Sequence, residues 1–110
     1  MTHVLDQPVW SALNSRQAHL RKGGPGALRF PVDVSPLAGG DDAAVLAVLI
    51  PEGDDISLLQ QAPPPAPASV TVLKSAVCLQ MIAPTLTPAT REIAFETLTD
   101  ADAPEMLALA

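Results

Sequence analysis

The chain has little of what would announce a chemistry. It carries a single cysteine, Cys78, in 110 residues, so no internal disulfide can form and no cysteine-based zinc site can assemble. Basic residues are scarce, six against twelve acidic ones, for a formal net charge of −6. That balance repels phosphate backbones, and no nucleic acid is expected as a partner. Long hydrophobic runs are missing too. The longest, residues 43–50, falls far short of the ~20 residues that span a bilayer, and no apolar signal-peptide core follows the opening "MTHVLDQP". No membrane partner is expected, and the expected compartment is the cytoplasm.

What is present argues for a folded body. Apolar residues make up 48% of the chain and the mean hydropathy is +0.29, which opposes wholesale disorder despite 12 prolines. A chain of this length can bury one modest core.

In "DQPVWSALNSRQAHLRKGG" the pattern predicts a helix over residues 8–20, with Pro8 in its first turn and Val9, Trp10 and Leu13 on one stripe. Asn14 and Gln17 have capping-box spacing, so a second segment can restart there and carry Ala18 and Leu20 to the same core; Gly23 and Gly24 end it. "ALRFPVDV" reads as an extended stretch broken by Pro31, hence an edge strand, and "SPLAGGDD" reads as a loop. Asp41 or Asp42 then caps a helix over 42–49, whose near-uniform apolarity predicts burial on most sides. A strand is expected at 56–60.

The tract "APPPAPAS" favours polyproline II and contains a PxxP at Pro64 and Pro67. No basic residue lies within six positions of Pro64 or Pro67, so a surface loop is a better reading than an SH3-type ligand. Further strands are expected at 70–73, 77–82 and 93–98, followed by a helix at 102–109. Trp10, Leu46, Leu49, Leu79, Met81 and Phe95 are the expected core.

Candidate chemistry is sparse. "RKGGPG" matches a phosphate-binding R-x-x-G-x-G letter for letter through Arg21, Gly24 and Gly26. Its context is wrong, because it follows a helix, precedes an extended stretch and loses an N–H at Pro25. His3 and His19 stand sixteen positions apart with no carboxylate cluster at ligand spacing. Cys78, inside the apolar "AVCLQM", is expected to be a buried, inert thiol. "EGDD" at 52–55 lacks the alternation of an EF-hand loop. No catalytic, cofactor-binding or metal-ligating residue is assigned.

The closing "FETLTDADAPEMLALA" reads as a strand, a Thr99 or Asp100 cap and the first turns of a helix with Asp100, Asp102 and Glu105 at its positive end. This strand, cap and helix resemble the first strand and first helix of the acetyl-CoA-dependent N-acetyltransferases of the GNAT superfamily. "DQPVWSALNSRQAHL", "FPVDVSPLAG", the proline loop and "CLQMIA" are similar to the region preceding the acetyltransferase core in one bacterial-type branch.

The resemblance implies a mixed α/β (α+β) fold, an incomplete GNAT-like mixed sheet flanked by helices, truncated at its C-terminus. Residues 1–91 would form the N-terminal region, and residues 92–110 the first strand and helix of the core. In the complete enzyme, acetyl-CoA would be the co-substrate, held by a bulged fourth strand and an R/Q-x-x-G-x-G/A loop beyond Ala110. An amine of unknown identity would attack the acetyl group directly, aided by a general base. This chain alone would hold no cofactor, and its partner would be the remainder of the acetyltransferase core. The rival expectation is a small acidic, non-catalytic protein-interaction module.

Overall fold

The computed structural model describes residues 3–110, which divide into two units, the first ending at Gln80 and the second spanning Met81–Ala110. The first unit is built around a four-stranded sheet in the order β1-β2-β3-β4, with β1 Lys22–Gly24, β2 Ala27–Arg29, β3 Leu37–Gly40 and β4 Ser57–Leu58. β1 and β2 are antiparallel, as are β2 and β3, whereas β3 and β4 run parallel across an intervening helix. The chain is thus a mixed α+β protein with an open, mixed sheet.

The hairpin β1–β2 follows from "GPGA". Pro25 presets φ at the first central position of the turn, and Gly26 takes the positive φ, +97°, that the second demands. Gly23 and Gly24 were expected to stop a helix, and instead they lie in a strand paired with Leu28 and Ala27. β2 is likewise not the expected edge strand, since β1 and β3 flank it. The ladder continues to the Phe30 amide, which donates to the Leu37 carbonyl at 3.1 Å. Pro31, lacking an N–H, comes just beyond that last bond and so does not interrupt it.

Side chains alternate across the sheet, and each face has its own helix. On one face α1, Pro8–Leu13, packs Val9 and Leu13 against Leu28 and Phe30, with Trp10, Leu20 and Leu37 around them. On the other, α2, Ala43–Val48, sets Leu46 on Ala27 and Ala38, joined by Val45, Leu49, Ile56 and Leu58. The expected helix over 42–49 therefore forms, capped by Asp42, whose carboxylate accepts from the Val45 amide at 3.1 Å. Its expected burial on most sides does not. Only Leu46 is buried and Val48 faces solvent, because a helix over one sheet face has one neighbour.

The "SPLAGGDD" stretch, expected to be a loop, supplies the interior strand β3. Its two glycines reflect close packing. A Cβ on Gly39 would lie 2.8 Å from the Trp10 backbone nitrogen, so α1 rests directly on bare strand backbone. The helix expected over 8–20 is split into α1 and a 3-10 turn, Ala18–Leu20. Asn14 does not cap the second piece. Its amide donates back to the Trp10 carbonyl at 2.9 Å and closes the end of α1.

In the second unit, regular structure among the described residues is confined to a 3-10 turn, Asp100–Asp102, leading into α3, Ala103–Leu109. The Asp102 carboxylate accepts from the Thr99 amide at 2.8 Å, the reciprocal half of a capping box. The strands expected at 70–73, 77–82 and 93–98 do not form; these residues run without a ladder partner and are almost wholly exposed. Leu79, Met81 and Phe95, expected in the core, face solvent at 92%, 90% and 88% exposure. The physical reason is the missing neighbour: β-propensity expresses fit to a pleated, half-buried surface, and an isolated strand has none.

Candidate functional site

Charged and polar groups converge at one place in the first unit, where β3 ends and α2 begins. An open depression of about 640 Å³ lies there, lined by Trp10, Gly26, Gly40, Asp41, Asp42 and the first residues of α2. In open α/β sheets ligands favour the carboxyl ends of strands, which makes this the position to test first.

Its chemistry is already spent on structure. The Gly26 carbonyl accepts from the Asp41 and Asp42 amides at 3.1 and 3.2 Å, tying the hairpin turn to the start of α2. The Asp41 carboxylate accepts from the Gln7 side-chain amide at 2.7 Å, and the Asp42 carboxylate caps α2. Gln60 reaches the adjacent Gly40 with both ends of its amide, donating to the carbonyl at 2.9 Å and accepting from the N–H at 3.1 Å. It prolongs the parallel β3–β4 pairing by one side chain. Two carboxylates at the mouth repel a phosphate, and the one helix end that would attract it is filled by Asp42.

The remaining sequence candidates are dispersed. The "RKGGPG" match forms β1 and its hairpin turn and leads into β2, so it does not open a helix and offers no phosphate cradle. His3 caps the short turn Val4–Asp6, its Nδ1 accepting from the Leu5 amide at 3.1 Å, while His19 lies exposed in the turn Ala18–Leu20. Asp54 accepts from the Asp55 amide at 2.8 Å, which makes "EGDD" a self-bonded turn. Among the described residues no group of three His, Cys, Asp or Glu side chains is placed to hold a metal. No helix among them is long and apolar enough to cross a membrane. Cys78 is exposed, contrary to the expectation of burial, because the run that contains it has no covering element.

One residue that sequence reasoning missed is Arg29, 4% exposed in the middle of the sheet. Its Nε donates to the Phe30 carbonyl at 2.8 Å and Nη1 to the Leu49 carbonyl at 2.9 Å, with Nη2 at a long 3.5 Å from the Ser35 carbonyl. Leu49 is the C-cap of α2, where orphan carbonyls carry the negative end of the helix dipole. The guanidinium therefore joins the sheet, the loop before β3 and the end of α2. Its acceptors are carbonyls from three chain segments, which no local sequence pattern signals.

No known protein family, curated protein or solved structure matches the chain.

Proposed function

We propose that this chain is the N-terminal portion of a GNAT-type N-acetyltransferase, inactive by itself, whose complete form moves an acetyl group from acetyl-CoA to an amine. The observation that carries the reading is the state of residues 70–110. Residues 92–110 of this stretch carry the strand, cap and helix that resemble the start of the acetyltransferase core, residues 70–91 belong to the region that precedes it, and the large apolar side chains of both, among them Val77, Ile93, Phe95 and Leu107, lie exposed. Apolar runs of this density are stable when a neighbouring sheet or helix covers them. The remainder of an acetyltransferase core would supply that cover. The first unit, with helices on both faces of its own sheet, would then serve as a scaffold beside the core.

In this reading acetyl-CoA is held downstream of Ala110. The first unit offers carboxylates and a hairpin where acetyl-CoA would need backbone N–H groups at a helix start. Calorimetric titration tests it with two proteins, the 110-residue chain and the same chain extended by the downstream coding sequence. The short chain should give no heat with acetyl-CoA. The extended chain should carry an R/Q-x-x-G-x-G/A loop and bind with micromolar affinity. An extended chain without such a loop and without binding overturns the proposal and leaves the acidic interaction module, cytoplasmic and non-catalytic, as the surviving reading.

A further inference from the structure

We draw no further inference here: the strongest candidate, the unpartnered apolar stretch of residues 71–98, is exposed along its length, but nothing in the structure shows what covers it.

Discussion

Residues 3–60 and residues 70–110 are made of similar material and meet different fates. Both contain short β-branched and leucine-rich runs interrupted by proline, although all six glycines lie in the first. In the first region Leu28 and Ala27, adjacent on β2, are each buried because α1 covers one face of the strand and α2 the other. In the second, Val77 and Leu79 have equal apolarity and are 98% and 92% exposed. The difference teaches that apolar pattern specifies which residues can be buried, while topology decides whether they are. A strand of three residues such as β2 persists between two partners; a run of six, at 77–82, finds none and forms no ladder.

The comparison breaks most visibly if the buried region proves tolerant. Leu13 is fully buried between α1 and the sheet, so Leu13→Ala should cost about 2–5 kcal/mol through lost transfer energy and the cavity left behind. That is a large fraction of the stability of a small domain. Urea denaturation would read it as a midpoint drop, and an unchanged midpoint would mean that the first unit is not packed as described.

Arg29→Met comes next. It removes the donors that serve the Phe30 and Leu49 carbonyls but keeps much of the side-chain volume. Leaving those acceptors without their charged donor should cost about 2–3 kcal/mol. Arg29→Lys should recover only part of this, because an ammonium cannot reproduce the guanidinium fork. Equal stability of the lysine variant and the native chain would reduce the role of Arg29 to charge at the end of α2.

Gly39→Ala is a narrower test of the same region. The new methyl would meet the Trp10 backbone nitrogen at 2.8 Å, and backbone cannot rotate away as a side-chain tip can. Overpacking of this kind should cost about 1–3 kcal/mol. Trp10 fluorescence would shift with it, since the tryptophan backbone is what must move.

The other side of the comparison predicts near silence. Leu79→Ser and Phe95→Ser alter exposed side chains and should change the unfolding midpoint by less than about 0.5 kcal/mol each. Both should raise solubility, because uncharged apolar runs such as 76–83 invite strand pairing between chains. Light scattering at rising concentration checks the second effect. A stability loss of several kcal/mol from either substitution would contradict the exposure of residues 71–98.

The helices were the legible part of this fold. Pro8 at a helix start is a local signal and stands where it was expected; of the two cap candidates at each later helix, Asp42 caps α2 and Thr99 caps the 3-10 turn that precedes α3 instead of the helix itself. The sheet was legible only in part. Ser57–Leu58 lies inside the strand expected at 56–60, yet β1 and β3 were read as a helix stop and a loop, because their glycines mimic turn chemistry. Pro25-Gly26 between two short extended pieces is a hairpin signal that could have revealed β1. β3 had no such signal, since Gly39 is explained by a helix backbone that crosses it and not by its sequence neighbours. The strands expected at 70–73, 77–82 and 93–98 failed for the converse reason: strong local propensity without a partner. The candidate site was unreadable as well. Of its carboxylates, Asp42 is used by its own helix cap at the Val45 amide, a local bond, whereas Asp41 is held by Gln7, which only the tertiary structure brings to it.

The most local of the expected effects belongs to α3, and it sharpens the contrast between regions that fold by packing and regions that fold by local bonding. α3 spans seven residues and buries none of them, so tertiary packing does not hold it. Its supports are local: Pro104 in the first turn, Glu105 at the positive helix end, and the Asp102 carboxylate accepting from the Thr99 amide at 2.8 Å. A helix this short is marginal in water, where nucleation is costly and little length follows to repay it. Asp102→Ala removes both the acceptor and a favourable charge, worth about 0.5–1 kcal/mol together. That is comparable to the whole margin of such a helix. NMR chemical shifts of residues 100–109 should therefore move towards coil values, while the urea midpoint of the first unit stays where it was. A midpoint that falls along with the shifts would mean that α3 contributes to the folded body, and the division between a packed region and a locally bonded one would have to be redrawn.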